Sequence, residues 1–246
     1  DKVSWYAARN PYFILPTGIA LRTFYGTSER KLFDATFEDL ERYWRSLPLE
    51  DNSARIIPTK TTSYTTYKYP VEISEGKIAA LKSDYDRSSR IVMVDTATGN
   101  EEVLCRTGSV NTGLVLSGRY VYWTELRQST FWEQKVNSQL CYYDLSTGRK
   151  GTVNSVRNAM YPTAVTPPAG TVAGDSHTNR VAWVEYGYDG TFEIVFGDRR
   201  FPIPDNISVH GLAYEKTTGA LFFIGLSDNG MWIGTVDPNG DAPAAL

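Results

Sequence analysis

Residues 77–104 read KIAALKSDYDRSSRIVMVDTATGNEEVL: an apolar strand, a polar hairpin, a second apolar strand, then a turn that opens on Asp95. The same plan returns at residues 119–153 (RYVYWTELRQSTFWEQKVNSQLCYYDLSTGRKGTV), 180–203 (RVAWVEYGYDGTFEIVFGDRRFPI) and 220–246 (ALFFIGLSDNGMWIGTVDPNGDAPAAL). Asp95, Asp144, Asp198 and Asp237 mark the four turns, 49, 54 and 39 residues apart. In DTATG and DLSTG the carboxylate can accept backbone N–H groups two and three residues on, and Gly99 and Gly148 can take the positive φ that ends such a turn. A hairpin built this way joins the two outer strands of a four-stranded unit. One such sheet cannot bury both faces, so copies must stack. Units of roughly 40–50 residues packed radially are the blades of a β-propeller. A β-sandwich also spaces its strands regularly, but it does not call for the same turn chemistry four times.

Outward from the repeat, the composition changes near residue 50. Residues 51–246 are expected to form about four blades, all β, complete or as part of a larger ring. Residues 1–50 are expected to be a helical segment. In TFEDLERYWRSLP, Thr36 and Asp39 have the spacing of an N-terminal cap, and Phe37, Leu40, Tyr43, Trp44 and Leu47 share one helical face. Pro48 stops the helix. GIALRTFYG reads as a second short helix between Pro16 and Gly26.

Of the 246 residues, 41% are hydrophobic and 22% charged, which points to a folded chain with a core of its own. Twenty-five basic residues against 28 acidic ones leave a net charge of −3 and no basic face for phosphate, so nucleic acid is not an expected partner. No apolar run reaches the roughly 18 residues of a membrane span. The chain opens Asp1-Lys2-Val3-Ser4-Trp5, with neither methionine nor an apolar leader, as at a processed or excised boundary. Two cysteines cannot build a disulfide framework, and with two histidines they do not space as a zinc site. A single Cys105–Cys141 bridge stays open. No metal and no cofactor is expected.

The stretches YPVEISEGKIAALKSDYDRSSRIVMVDTATGNEEVLCRTG and GRYVYWTELRQSTFWEQKVNSQLCYYDLSTG resemble the TolB-like propeller repeats of large Bacteroidetes cell-envelope proteins. GLSDNGMWIGTVDP fits the same repeat, and the likeness covers roughly residues 70–236. The usual Ser-Pro-Asp-Gly repeat start is replaced by GDSHTNR at 174–180 and EKTTGA at 215–220. The resemblance implies a periplasmic or cell-surface location. It also implies a gluzincin-type metallopeptidase-like domain upstream, with residues 17–46 as a helical tail in contact with it. The H-E-x-x-H signature of such a peptidase is absent, since His177 and His210 lie 33 residues apart. The active site of any such peptidase would therefore lie outside these residues.

Candidate site residues follow from the repeat. Trp123-Thr124-Glu125 and Trp183-Val184-Glu185 fall at the same blade position. Two carboxylates facing one channel could share acid–base work on a glycan. The plainer alternative has each tryptophan packing between blades and each glutamate meeting a cation such as Arg127. Trp132, on the projecting hairpin STFWEQKVNS (129–138), is a candidate for partner or sugar contact, and His210 for a channel lining. SDNGMW at 227–232 departs from an Asp-box, and Asp237, Asn239 and Asp241 lack the bidentate Glu of a calcium loop; both read as turns. No G-x-S-x-G elbow and no phosphate-binding glycine loop is present. The expected function is that of a non-catalytic binding or scaffolding propeller whose ligand is a protein, peptide or glycan. The alternative is the accessory propeller of a larger zinc metallopeptidase-like protein.

Overall fold

A computed structural model describes residues 2–10, 16–48, 63–131, 135–153, 158–166, 177–238 and 243–245. The chain divides into two compact units, Asp1–Ala54 and Arg55–Leu246.

The first unit holds helices α1 (Lys2–Arg9), α2 (Pro16–Tyr25) and α3 (Glu29–Ser46). Tyr6 of α1 meets Phe24 of α2 edge to face at 5.6 Å. Gly26 ends α2 at φ +65°, as the sequence predicts. The start of α3 differs from expectation. Ser28 is its N-cap, with its hydroxyl accepting from the Lys31 N–H at 3.3 Å, and the helix begins a full two turns before Thr36. Thr36 is interior and donates its hydroxyl to the Leu32 carbonyl at 2.8 Å. The polar run Glu29-Arg30-Lys31 hides this start, because it adds helix without adding to the apolar stripe. Within α3, Asp39–Arg42 and Glu41–Arg45 pair at 2.8 and 2.5 Å. Phe33, Phe37, Tyr43 and Trp44 are exposed.

The second unit is four antiparallel sheets, each a meander of four consecutive strands. Sheet one holds β1 (Thr65–Ser74), β2 (Lys77–Asp84), β3 (Arg90–Asp95) and β4 (Glu101–Arg106). Sheet two holds β5 (Ser109–Ser117), β6 (Tyr120–Gln128), β7 (Val136–Asp144) and β8 (Arg149–Thr152). Sheet three holds β9 (Asn158–Ala164), β10 (Val181–Tyr186), β11 (Phe192–Phe196) and β12 (Arg199–Pro202). Sheet four holds β13 (Ser208–Tyr214), β14 (Leu221–Ser227), β15 (Gly230–Val236) and β16 (Pro243–Ala245).

First strands are the neighbours from sheet to sheet: β1 lies against β5, β5 against β9, and β9 against β13. Side chains tie them together. Thr163 donates to the Leu212 carbonyl at 2.8 Å, and Tyr214 to the Thr166 carbonyl at 2.8 Å. This is the radial stack of a β-propeller, with first strands innermost.

Three apolar clusters fill the junctions. Ala79 and Ile91 of sheet one pack with Trp123 and Cys141 of sheet two. Tyr120, Tyr122 and Leu140 meet Val181, Trp183 and Val195 of sheet three. Ala182, Val184 and Ile194 meet Leu221, Phe223 and Val236 of sheet four. The middle strands of sheets two and three are thus covered on both faces, which is why β6 and β10 read as continuous apolar runs rather than alternating ones. At about 25 cal/mol per Å², each of these large side chains contributes roughly 1.5–3 kcal/mol of burial.

Strand direction sets two distinct ends. One end, here the turn end, carries the hairpins between third and fourth strands. There Asp95 accepts from the Ala97 and Thr98 N–H groups at 3.0 and 2.9 Å, and Asp144 from Ser146 at 2.9 Å. Gly99 and Gly148 sit at φ +71° and +67° and close these turns, as the sequence predicts. Gly197-Asp198 is instead a two-residue link between β11 and β12. Asp237 follows β15, and Asn239 and Asp241 lie outside the described residues. A Gly148→Val substitution must hold a β-branched residue in the left-handed region. It should cost about 1–2 kcal/mol in urea unfolding, and Gly148→Asn distinctly less. The opposite end, here the loop end, carries the hairpins between second and third strands together with the links from one sheet to the next.

Candidate functional site

The repeated Trp-x-Glu is a built-in ion-pair station within each sheet. Trp123 Nε1 donates to Glu125 Oε1 at 2.9 Å, and Trp183 Nε1 to Glu185 Oε1 at 3.1 Å. The two glutamates are 1% and 0% exposed. A fourth-strand cation reaches each one: Lys150 Nζ lies 2.6 Å from Glu125, and Arg200 Nη1 2.6 Å from Glu185. Arg127 adds a longer contact to Glu125 at 3.3 Å. Burial alone would raise the Glu125 carboxyl, but the bonds from Lys150, Trp123 and the Gly108 N–H outweigh it and hold it below its ordinary value. A carboxylate held ionised, buried and cation-paired is poorly placed for proton transfer. Each glutamate is engaged by the tryptophan and cation of its own sheet.

The other sheets vary the same station. Register places Lys82 where sheet two has Glu125, and Lys82 pairs with Glu101 of the fourth strand, so the charges are exchanged. In sheet four the station holds Phe223 and Gly225, with the Trp232 ring lying against Gly225. Trp-x-Glu is visible in sequence in two sheets. Its reversed form is not, because only the register shows that Lys82 and Glu125 are equivalent.

His210 stands exposed on β13, with Nε2 3.0 Å from Ser208 Oγ. It is the unpaired residue of a bulge between Val209 and Gly211, and Asn111 occupies the like bulge of β5. Tyr69 and Tyr161 form a second pair. Each precedes a proline at a bulge of its first strand, and among the described residues they are the non-glycine ones at positive φ, +56° and +52°. Tyr69 packs its ring on Gly113 of the next sheet. Bulges re-aim side chains at sheet rims. The two Tyr-Pro dipeptides are legible in sequence, but their bulged backbone is not. Trp132 lies outside the described residues.

Four exposed aromatic side chains of the β unit stand at the loop end. Tyr85 lies in the β2–β3 loop, Phe131 in the β6–β7 loop and Tyr188 in the β10–β11 loop, with Tyr64 just before β1. Tyr64 and Tyr85 pair at 6.0 Å between centroids, and Lys135 lies 4.6 Å over Tyr188. Tyr188 also bonds Asn137, joining the β10–β11 loop of sheet three to β7 of sheet two.

The β2–β3 and β10–β11 loops are pinned. Asp84 accepts from the Asp86 and Arg87 N–H groups at 3.1 and 2.8 Å and pairs with buried Arg90 at 2.5 Å. Arg90 is the chief reason the Asp84 carboxyl sits below its usual range. Asp189 accepts from Thr191 N–H at 3.2 Å in the β10–β11 loop. Clefts open beside them. One of about 430 Å³ lies between sheets three and four, lined by Phe192, Asp205, Asn206, Ser208 and Asp228. A second, of about 320 Å³, is lined by Tyr64, Lys68, Asp84 and Tyr85.

Cys105 and Cys141 are free thiols. Burial pushes them up to about 11 and about 12, so both are protonated near neutrality. Among the described residues no group of three or more His, Cys, Asp or Glu is placed to hold a metal ion. No described helix is long and apolar enough to cross a membrane.

No family model matches the chain, and no curated protein matches it. Among solved structures, TolB from Acinetobacter baumannii is similar at 15% identity and a TM-score of 0.48, over 70% of this chain and 40% of that one. The β-propeller domain of the Trilobed protease from Pyrococcus furiosus, described as having an open velcro topology, is similar at 8% identity and a TM-score of 0.35, over 70% and 66%. Porphyromonas gingivalis dipeptidyl peptidase 4 is similar at 8% identity and a TM-score of 0.33, over 82% and 46%. This chain thus spans less than two thirds of each. The likeness is one of fold and carries nothing about activity. In fold the β unit is four consecutive β-propeller blades stacked first strand to first strand, and a helical unit precedes it in the sequence.

Proposed function

We propose that the β unit is a non-catalytic binding module that holds a peptide, protein or glycan across its loop end. The observation that supports this reading is the placement of the exposed aromatics. Tyr64, Tyr85, Phe131 and Tyr188 all stand at the loop end. Exposed tyrosines on rigid loops offer contact area with little entropy to lose. Asp84, Asp189 and the Arg90 pair hold the β2–β3 and β10–β11 loops in place before any ligand arrives. The buried, ion-paired Glu125 and Glu185 favour binding over glycan turnover. Placement in a bacterial envelope rests on the sequence resemblance of residues 70–236.

The test begins with a glycan array and a peptide-display library screened against the whole chain, followed by calorimetric titration of the best hit. Tyr85→Ala and Tyr188→Ala should each weaken binding about tenfold, which corresponds to roughly 1.4 kcal/mol. Thr96→Ala, at the turn end, should leave affinity unchanged. Equal affinity in all three variants would sink the reading.

A second reading has one observation behind it. Phe33, Phe37, Tyr43 and Trp44 make an exposed apolar stripe on α3, which suits a helix that packs on a further domain. In that case the propeller is the accessory half of a metallopeptidase-like protein. Stoichiometric zinc in the native gene product would support it.

A further inference from the structure

A further cleft at the loop end gathers guanidinium groups. It lies in sheet one between the β2–β3 loop and β4, has a volume of about 470 Å³, and is lined by Asp86, Arg87, Ser88, Arg90, Val103 and Arg106. The three arginines differ in standing. Arg90 is buried and already committed: one terminal nitrogen pairs with Asp84 at 2.5 Å, and the other donates to the Ser88 carbonyl at 3.2 Å. Asp84 in turn accepts from the Arg87 N–H at 2.8 Å, so this pair braces the backbone that carries Arg87. Arg106 stands across from Arg90 in the strand register, and its carbonyl accepts from Lys150 Nζ at 3.1 Å. The Arg87 and Arg106 side chains are exposed, and among the described residues neither is ion-paired.

Two such arginines on a braced backbone suit an incoming oxyanion, because the planar guanidinium fork is weakly hydrated and preorganised for one. The charge balance selects which. Arg90 is neutralised by Asp84, and Asp86 shares the lining with Arg87 and Arg106, so the cleft holds a single positive charge in excess. A carboxylate, with one negative charge, matches that excess. A phosphate dianion, or a chain charged at every unit, would also meet Asp84 and Asp86. The surroundings point to a polypeptide. Among the described residues β4 pairs with β3 alone, so its outer edge offers main-chain N–H and C=O groups to an extended chain, beside exposed Val103 and Arg106. Tyr85, Asp86 and Arg87 are consecutive, so the cleft of the Tyr64–Tyr85 ring pair adjoins the guanidinium cleft through one loop. We infer that the guanidinium cleft takes an Asp or Glu side chain of an extended peptide, held between Arg87 and Arg106, with an uncharged neighbouring side chain on Tyr85. This rests on the loop-end reading above and names one group of the ligand that it left open.

The probes are ten-residue peptides with blocked termini, each with one central Glu, Gln, phosphoserine or Lys among randomised uncharged residues. Affinity selection on the whole chain gives the best Glu peptide, which is titrated beside the same peptide with Gln in its place. The Glu peptide should bind about tenfold tighter than its Gln version. Arg87→Gln and Arg106→Gln should each shrink that ratio to about threefold or less, with the affinity for the Gln version unchanged. Both side chains are exposed, so neither change should move the midpoint of thermal unfolding. Equal binding of the Glu and Gln peptides, both weakened by Tyr85→Ala, would overturn the carboxylate site and leave the loop-end reading standing. A Glu preference that survives both arginine changes would also overturn it, as would tighter binding of the phosphoserine peptide or of an oligogalacturonate. Failure of every peptide pool would overturn it too, whereas the loop-end reading falls only if the glycan array also fails.

Discussion

Lys150→Met should lower the unfolding free energy of the β unit by about 3 kcal/mol. Glu125 is 1% exposed, and its strongest partner is the Lys150 ammonium at 2.6 Å. Removing one member of a buried pair leaves a charge without compensation and costs about 3–5 kcal/mol. The low end applies because Arg127, itself largely in water, remains 3.3 Å from the other oxygen and the Trp123 N–H still donates. The pH dependence separates this cause from lost packing. In the parent protein Glu125 has a folded-state pKa below its unfolded value, so its stabilisation is present above about pH 4.5 and is lost as pH falls through the lower folded value. Without Lys150 the sign reverses. The carboxyl then titrates above its unfolded value, and the deficit of the variant shrinks as acid neutralises it. Glu125→Gln in the Lys150→Met background should recover about 2 kcal/mol at pH 7, since an amide oxygen still accepts from Trp123. Urea titrations at pH 4 and pH 7 measure both effects, and a deficit that does not change with pH would refute the account.

Trp123→Ala should cost still more, about 4 kcal/mol. The indole is fully buried in the cluster that joins sheets one and two, and large-to-small changes of this size cost about 3–5 kcal/mol. Trp123→Phe keeps most of the packing but removes the donor to Glu125, which should cost about 1–2 kcal/mol. Amide exchange by mass spectrometry gives the spatial signature. Loosening in Trp123→Ala should spread into β2 and β3 of sheet one as well as β6. Loosening confined to sheet two would mean that the indole does not bridge the junction.

Much of this architecture is legible in the sequence, and for identifiable reasons. Turn chemistry is local, so Asp95, Asp144, Gly99 and Gly148 announce their hairpins. Apolar runs announce the doubly covered strands β6 and β10. First strands are harder to read. β1 and β9 contain Tyr69-Pro70 and Tyr161-Pro162, and their bulges break the two-residue alternation that marks a strand. Glu215 shows another limit. It builds the turn that Asp builds elsewhere, accepting from Thr217 and Thr218 N–H at 2.8 and 2.6 Å, but one added methylene conceals the motif.

Of the candidate site residues, Glu125, Glu185 and Arg127 stand out in sequence, but only the fold shows the two glutamates neutralised by cations from a strand 15 to 25 residues away. Tyr85 and Tyr188 carry no motif. Their significance depends on which end of the stack they occupy, and this follows only from strand direction.

Each sheet in the stack is sequence-local and makes its main contacts with its neighbours, so the β unit behaves as a nearly one-dimensional array. In such an array folding can proceed in the order of synthesis: every sheet closes from adjacent hairpins before the following one exists, and each finished sheet templates the next. The entropy cost of loop closure stays small at every step. Growth of this kind has a leading edge, and whichever sheet was added last always bears the apolar face that the next would cover. In the β unit that edge is the outer side of β14 and β15, the place where chaperones would engage the chain during synthesis and where its cooperative unfolding would begin.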